Sequence, residues 1–270
     1  MSDKTKFWII ISLIFISITS IFYIFFSKNN KDKRNIRNSV SITKTNLLEH
    51  ELKTNDGFKV IITGNGQAIE PIVDTKYFNK DNKFLYLEKS VERYTMHTRV
   101  VTDSKGHSHT ETYYSWDYYD SEIEQIKNIK ILNHEFKNIP LGFDNIKSVQ
   151  LDKIVNSKYK DKILGNYIYL NGKYLHIVGD KRLSFNGVYD NSLISLAGEI
   201  SNKTIIPYKK YNKVRVFDNG KEDILKKLKN KHTFCIIIYL VGVIVLTAGG
   251  TYYYNNTFKK RNFRYRRGRF

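Results

Sequence analysis

Histidines and a carboxylate with the spacing of metal ligands occur at one place in the sequence. His107 and His109 flank Ser108 in a polar turn, His97 lies on the preceding predicted strand, and Glu111 lies just beyond. Alternate residues of a strand share a face, so His107 and His109 would point the same way. A metal site usually needs three or four protein ligands, and the sequence does not identify the others. We therefore expect a solvated hairpin tip without a metal.

Two other features bear on catalysis and cofactor binding. The segment GNGQAI (residues 64–69) is similar to the start of a dinucleotide-binding fingerprint, but Ile69 replaces its third glycine and no helix with an acidic partner follows. A β-turn is the better interpretation of this segment. The only cysteine, Cys235, lies inside a long apolar run, which excludes a disulfide within the chain and a thiolate zinc cluster. The sequence therefore predicts no cofactor and no catalytic residue.

Two uncharged apolar runs, residues 7–26 and 234–254, determine the organisation of the chain. As helices, each would be about 30 Å long, which is the thickness of a bilayer's hydrocarbon core. A cleaved signal peptide has a shorter apolar region and a small-residue cleavage site, so we expect the first run to be an uncleaved anchor. The predicted segments are a tail (1–6), a transmembrane helix (7–27), a basic linker (28–39), a β-rich domain (40–217), a basic amphipathic helix (218–232), a transmembrane helix (233–254) and a basic tail (255–270).

The formal net charge of +19 lies mainly beside the predicted membrane helices. Residues 1–39 and 259–270 together carry an excess of 12 positive charges, against 7 for residues 40–232. Basic segments beside a span are attracted to anionic lipid head groups, so we expect a bilayer with such head groups as a partner. Stacking of the tail on single-stranded nucleic acid is the disfavoured alternative, and a retention signal is another. The tail residues concerned are Lys259, Lys260, Arg261, Arg264, Arg266, Arg267 and Arg269.

The side of the membrane on which the large domain lies is left open by the sequence. Lysine and arginine are nearly balanced between the two sides, so the positive-inside rule does not decide the orientation. Asn202 begins an Asn-Lys-Thr triplet, which is a glycosylation acceptor if the domain faces a secretory lumen.

Between the two apolar runs, β-branched and aromatic stretches alternate with turn signals. This pattern predicts an α+β protein that is predominantly β, with an antiparallel β-rich domain between two transmembrane helices. Asn171-Gly172 predicts a type I′ turn within a hairpin over residues 167–178. A longer hairpin is predicted from residues 84–101 and 110–123, joined by a polar turn. Further strands are predicted at residues 58–63, 183–189, 193–200 and 213–217.

One arm of the longer hairpin contains the aromatic segment YYSWDYY. In an extended strand, alternate side chains point to opposite faces. We expect one face to pack in a core. For the segment as a whole, the favoured interpretation is a two-sided strand of a β-sandwich, and the alternative is that the other face is an adhesive surface for a partner or for lipid head groups, since tyrosine suits half-buried positions. One face would hold Tyr114, Trp116 and Tyr118, and the other Tyr113, Asp117 and Tyr119.

Two blocks of this region resemble the LUMA (transmembrane protein 43) family. The first is LEKSVERYTMH, followed by a linker with Gly106 and then by ETYYSWDYYDSEI; the second is GDKRLSFNGVYDNSLISLAGEISNKTIIPYKK. The resemblance covers residues of about 58 to 210. It rests on Val91, Glu92, Tyr94, Glu111, Thr112, Tyr114, Ser115, Ser121, Glu122, Ile123, Gly179, Asp180 and Arg182.

The resemblance implies a non-enzymatic membrane organiser of the endoplasmic reticulum or nuclear envelope that associates with itself or with another membrane protein. The family ends in several membrane spans, whereas this chain has one and a short basic tail, so partner contacts of that region are not carried over. The two-span plan is also similar to the membrane-flanking domain of mitochondrial ubiquitin ligases, without their zinc-binding RING. Two alternatives remain: a membrane component of a virus particle, in a virus membrane derived from those compartments, and a membrane-displayed enzyme with an unidentified active site.

Overall fold

The protein is described by a computed structural model that covers residues 3–54, 56–144, 146–209, 211–218, 220–254 and 256. It is an α+β protein with about 39% of its residues in strands, two sheets rich in antiparallel pairs and two long apolar helices. The chain divides into two compact units, and all of the sheet structure lies in the unit Ser39–Gly220. The predicted α+β class and the β-rich region between two apolar helices are thereby confirmed. The seven basic residues of the predicted tail, from Lys259 to Arg269, lie outside the described residues.

The helices differ greatly in length. The two long ones, α1 and α4, are by length and composition candidates for crossing a membrane. In chain order the helices are α1 (Asp3–Arg37), α2 (Thr45–Thr54), α3 (Leu151–Ile154), a 3-10 helix (Ser157–Lys162) and α4 (Lys221–Tyr254).

Helices α1 and α4 pack against each other in antiparallel orientation. Near the start of α1, the ring of Phe7 stacks on that of Tyr253, with 5.3 Å between centroids. Fifteen residues later, Phe22 stacks on Tyr239 at 4.4 Å. A Cβ atom added at Gly250 would lie 2.9 Å from the side chain of Ile11, so this glycine permits the close approach of the two helices. The two helices therefore form an antiparallel pair with an aromatic contact near each end of the apolar run of α1.

Both long helices continue beyond their apolar runs, which differs from the predicted boundaries. The predicted linker, residues 28–39, is helical to Arg37, and residues 221–232 of the segment predicted as a separate helix (218–232) form the first part of α4. Neither polar stretch contains proline or glycine within the helix, and each added residue extends an existing helix by one hydrogen bond. A helix without a breaking residue therefore continues past the change in polarity.

Fourteen strands form the two sheets of the second unit among the described residues. They are β1 (Val40–Ile42), β2 (Lys59–Ala68), β3 (Phe84–Thr102), β4 (Ser108–Gln125), β5 (Ile129–Ile131), β6 (His134–Phe136), β7 (Leu141–Phe143), β8 (Lys147–Ser148), β9 (Ile163–Leu164), β10 (Tyr167–Tyr169), β11 (Lys181–Tyr189), β12 (Ser192–Ser201), β13 (Thr204–Ile206) and β14 (Val214–Phe217).

The larger sheet has the order β6-β5-β2-β12-β14-β7, with β1 beside β2 and β13 beside β12. Its β1–β2 and β14–β7 pairs are parallel, and the others are antiparallel. The smaller sheet has the order β4-β3-β11-β10-β9, with β8 beside β11, and is antiparallel throughout. The predicted longer hairpin and the four further predicted strands are confirmed as β3, β4, β2, β11, β12 and β14.

Each sheet has a separate hydrophobic core. The core of the larger sheet includes Ile62, Leu196 and Val216, and helix α2 contributes Leu48 and Leu52 to it. The sequence analysis did not predict α2, whose two buried leucines are four residues apart on one helix face. The core of the smaller sheet is aromatic and includes Phe78, Phe84, Phe185, Tyr77 and Tyr159.

Two predicted local structures are wrong. Residues 167–178 do not form a hairpin, because only β10 is extended there and it pairs with β9 and β11. A type I′ turn needs positive φ at both central residues, and neither Asn171 nor Gly172 has it. The segment 64–69 is not a turn either, since β2 extends to Ala68. Its Gly66 faces Ile194 of β12 so closely that an added Cβ would lie 2.4 Å from that side chain.

Candidate functional site

The β3–β4 hairpin is the most extended feature of the smaller sheet. Strand β11 pairs with β3 only between Phe84 and Arg93, whereas β4 pairs with β3 as far as Thr102 and Ser108. Residues 95–102 and their partners 108–115 therefore form a two-stranded ribbon, which at about 3.4 Å per residue extends roughly 27 Å beyond the neighbouring strand. Within the described residues, β4 has no partner strand on its outer edge. The ribbon thus presents unpaired backbone groups along both edges.

The five aromatic residues predicted as an interaction surface lie on this hairpin, on both of its faces. Tyr114 and Trp116 pair with Met96 and Tyr94, and Tyr118 pairs with Glu92, which confirms that these three share a face. A β-bulge follows Tyr118, and Tyr119 is its extra residue. The expectation that one face is core is wrong, because the tyrosines are 43% to 68% exposed and only Trp116 is half-buried.

Trp116 is held by a cluster of residues from other strands, centred on Arg182. The guanidinium of Arg182 lies 3.8 Å from the ring centroid of Tyr167 and 4.7 Å from that of Trp116. Its Nε and Nη2 donate to one carboxylate oxygen of Glu92, at 2.7 and 2.5 Å. Its Nη1 donates to the hydroxyl of Tyr169 at 3.2 Å. Burial disfavours the charge, but these hydrogen bonds outweigh it and raise the pKa of Arg182. We call this the arginine cluster.

A loop that follows β10 completes the arginine cluster. The ring of His176 stacks on Tyr169 with 5.2 Å between centroids and meets Trp116 edge-on at 5.0 Å. The carboxylate of Asp180, which is buried, accepts hydrogen bonds from the backbone N–H of Ile177 at 2.9 Å and from the side chain of Asn171 at 2.5 Å. These bonds lower the pKa of Asp180. Asn171 is therefore committed to Asp180, which explains why it does not form the predicted hairpin turn.

A second polar cluster lies on the opposite face of the hairpin. The carboxylate of Asp117 accepts hydrogen bonds from Thr95, from Ser115 at 2.7 Å and from Nε2 of His97 at 2.6 Å. The hydroxyl of Thr95 also lies 2.8 Å from that same nitrogen. A catalytic triad uses the two imidazole nitrogens for two different partners, whereas here both partners meet Nε2. These residues therefore hold the two strands together and lower the pKa of Asp117, chiefly through Thr95 and Ser115.

The histidines at the tip of the hairpin each contact a nearby carboxylate. Nδ1 of His107 lies 3.2 Å from Asp103, and Nε2 of His109 lies 3.2 Å from Glu111. In the described part of the chain, no three histidine, cysteine or acidic side chains converge as a metal would require. The backbone N–H groups of residues 105 and 107 donate to Asp103, and these bonds lower the pKa of its carboxyl. The tip is thus an exposed turn that Asp103 organises.

The predicted glycosylation residue lies on an exposed turn. Asn202 and Lys203 both have positive φ, 50° and 60°, and they connect β12 to β13 as a two-residue hairpin turn. The backbone N–H of Asn202 donates to the side chain of Asp56 at 3.2 Å, and the side chain of Asn202 is exposed. The acceptor triplet is therefore accessible at the surface of the β-rich unit.

The sequence analysis identified Trp116 but not the residues that surround it. Arg182 and His176 are more than 50 positions away in the chain, and no short-range pattern connects them to the hairpin. Three positions of the LUMA resemblance, Glu92, Asp180 and Arg182, do meet around this tryptophan, although the resemblance assigned them no role.

Comparisons of the chain with protein-family models, with curated proteins and with solved structures found no match. The physical properties of the hairpin and of the two long helices are therefore the basis for a function.

Proposed function

We propose that this protein is a non-enzymatic, two-pass membrane scaffold whose β-rich domain associates with itself through the ribbon. The observation that supports this most directly is the ribbon's unpaired outer edge together with its exposed tyrosines. A long, exposed edge strand pairs readily with another strand. Membrane anchoring by α1 and α4 is part of the proposal, and it is supported by two uncharged runs that each match the thickness of a bilayer.

The segment best suited to self-association is the middle of β4, residues 112–119. Natural proteins protect edge strands with charges, and β4 carries Glu122 and Glu124 near its end and Glu111 near its tip. Within residues 112–119 the only charge is that of Asp117, whose two oxygens accept hydrogen bonds from neighbouring side chains of the hairpin, and Asp120 directly follows this segment. The tyrosines therefore lie on a stretch without free charge. Two copies of β4 would pair there in antiparallel orientation about a twofold axis.

A cysteine scan tests this pairing. With Cys235→Ala as background, single cysteines are placed at each position from 110 to 118 of the full chain in membranes, and disulfide formation between copies is measured. In an antiparallel pair, one position lies opposite itself in the partner, so crosslinking should peak there and fall off on both sides. Uniformly weak crosslinking across the scan would refute self-association through this edge.

A charge substitution supplies a second test with a matched control. Tyr114→Lys places a charge on the proposed interface and should convert the oligomer to monomer in sedimentation experiments in detergent. Leu193→Lys is the control, because Leu193 is similarly exposed, 55% against 51%, but lies on β12 of the other sheet. Equal effects of the two substitutions would contradict a specific role of the ribbon.

The LUMA resemblance leads us to include residence in the endoplasmic reticulum or nuclear envelope in the proposal. We would test this location by protease protection in sealed membranes, with tags at both chain ends and in the β-rich domain. Glycosidase treatment would be combined with it. A protected loop that is glycosylated at Asn202 supports a luminal domain, whereas an accessible loop beside protected ends contradicts this topology. Co-purification with virus particles would instead favour the particle-component alternative.

A further inference from the structure

The loop of residues 173–178, between β10 and β11, exposes four apolar side chains in succession around one histidine. The exposed fractions are 74% for Tyr174, 88% for Leu175, 72% for Ile177 and 55% for Val178. Scattered apolar residues are normal on a protein surface, but four on one short loop form a contiguous apolar protrusion. We call residues 173–178 the apolar loop.

The exposure of these side chains follows from how the loop is fixed. Its inward-facing residue is His176, whose ring packs between the aromatic rings of Tyr169, Trp116 and Tyr94. In addition, the buried carboxylate of Asp180 accepts a hydrogen bond from the backbone N–H of Ile177. The loop therefore has two internal anchors, and its apolar side chains project away from the sheet. A rigid apolar protrusion of this kind is suited to insertion rather than to enclosing a small ligand.

The charges around the apolar loop are basic. Nζ of Lys173 lies over the ring of the adjacent Tyr174, Lys181 follows the loop in the chain, and a Cβ added at Gly179 would lie 3.7 Å from a guanidinium nitrogen of Arg93. The only acidic residue in the segment 171–182 is Asp180, which is buried and hydrogen-bonded. Apolar tips with tyrosine and flanking lysine or arginine match the interface of an anionic bilayer, where the apolar groups enter the acyl boundary and the cations meet phosphates.

We propose that the apolar loop inserts into the interfacial region of an anionic lipid bilayer. This inference goes beyond self-association through the ribbon. It rests on the proposed membrane anchoring, because the anchoring helices keep a bilayer near the domain. Two spans keep the domain at a high effective concentration near lipid, so a few inserted side chains suffice for lasting contact. The ligand is the bilayer surface itself, recognised by its acyl boundary and its phosphates together.

Site-specific fluorescence on the full chain tests the proposal. On a Cys235→Ala background, a cysteine at Leu175 carries an environment-sensitive dye, and the chain is reconstituted into vesicles with or without phosphatidylserine. Nitroxide-labelled lipid is placed either in the host vesicles or in vesicles added afterwards. We expect a blue shift and quenching by nitroxide lipid, both stronger with phosphatidylserine. A dye at Leu193 is the matched control for an exposed apolar site and should stay unquenched.

Substitutions separate the apolar and the charge contributions. Ile177→Ser removes one inserted side chain. It should lower the affinity of the loop for those vesicles that shift and quench the dye by roughly tenfold, because the burial of one large aliphatic side chain is lost. Lys173→Glu should abolish the preference for phosphatidylserine while leaving the protein folded. Retention of both properties in both variants would overturn the proposal.

The outcomes distinguish this proposal from the membrane anchoring on which it rests. A dye at Val245 of α4 reports the anchoring, and an unquenched dye there would contradict it; quenching at position 175 by added vesicles alone would still support insertion. A dye at position 175 that is quenched neither by lipid in the host vesicles nor by lipid in the added vesicles overturns the proposal. A blue shift without lipid quenching that grows with protein density also overturns it, since another copy of the chain then covers the loop.

Discussion

Arg182→Lys should loosen the attachment of the ribbon to the smaller sheet. Lysine keeps the positive charge, but it lacks the planar guanidinium that lies over the rings of Tyr167 and Trp116 and donates to Glu92 and Tyr169 at the same time. The substitution therefore removes the planar arrangement of hydrogen-bond donors and leaves the net charge unchanged. Since only 17% of the Arg182 side chain is exposed, water replaces the lost contacts poorly.

The size of the effect follows from the contacts that lysine cannot reproduce. One charge-assisted hydrogen bond to Glu92 contributes about 1.5–3 kcal/mol, and the neutral bond to Tyr169 contributes about 0.5–1.5 kcal/mol. Stacking of the guanidinium on two aromatic rings adds about 0.5–2 kcal/mol. These contributions are not additive, and a lysine ammonium regains part of the first, so we expect a loss of about 2–4 kcal/mol in the free energy of unfolding.

Tryptophan fluorescence provides the assay, because the chain has only two tryptophans. In a Trp8→Phe background, Trp116 is the sole reporter, and its emission should shift to longer wavelength in Arg182→Lys as water reaches the ring. Urea unfolding of the full chain in mild detergent measures the accompanying loss of stability. Both readouts should change together, since the same cluster determines both.

Arg215→Lys is the matched control for this experiment. Arg215 has a similarly buried side chain, 18% exposed, donates to Asp144 at 2.7 Å and lies over the ring of Phe217, but it belongs to the larger sheet. This variant should lose stability without any change in Trp116 emission. The reasoning is refuted if Arg182→Lys leaves the emission and the unfolding midpoint unchanged, or if both variants shift the emission equally.

Three further outcomes are expected. Gly198→Ala should lower the free energy of unfolding by about 1–3 kcal/mol in urea titrations, because the new Cβ would lie 2.4 Å from the carbonyl oxygen of Ile206. The lowered pKa of Asp180 means that its stabilisation is fully present above the unfolded pKa of about 3.9 and is lost as the pH falls through the lower folded pKa. The protection factors of the apolar loop amides, which are corrected for the intrinsic exchange rate at each pH, should therefore fall in acid, and Asp180→Asn should remove that pH dependence. If the domain is luminal, Asn202→Gln should abolish a glycosidase-sensitive mobility shift.

Each of these outcomes has its own control. Gly220→Ala is the comparison for Gly198, since a Cβ at Gly220 would meet no atom within 4 Å; equal stability of the two variants would refute the packing argument. Protection factors of the apolar loop that are equal at neutral and acidic pH would contradict the role of Asp180. A mobility shift that persists in Asn202→Gln would place the modification elsewhere.

Much of the β structure was predictable because its signals are local. The ribbon was predicted from alternating side chains and from a polar turn containing Gly106, and the structure has positive φ at that glycine. The hairpin at Asn171-Gly172 failed for the opposite reason. Its turn signal is also local, but a bond from Asn171 to Asp180, nine residues away, decides the conformation. Local turn chemistry predicts a hairpin only where no such competing partner exists.

The surroundings of Trp116 were beyond prediction for a related reason. Periodicity predicts which face of a strand a residue occupies, and the face shared by Tyr114, Trp116 and Tyr118 was predicted correctly. Whether other residues cover that face depends on which strands and loops the fold brings next to the hairpin. Because β11 pairs with β3 only as far as Arg93, the residues of β11 and of its neighbours reach Trp116 but not the ribbon beyond it, and the expected core is absent among the described residues there.

The sheet topology also determines the order in which this chain is able to fold during synthesis. Central pairs join distant parts of the chain, as where Ile62 of β2 lies opposite Leu196 of β12. At about 5–20 residues per second, a ribosome needs roughly 7–27 s to make the intervening stretch of roughly 130 residues. Strand β2 is therefore made long before its neighbour, and such high contact order is a feature of slow folding. Helix α4, which packs against α1, is made last of all these elements, so α1 has no contact with α4 during most of the synthesis of the chain.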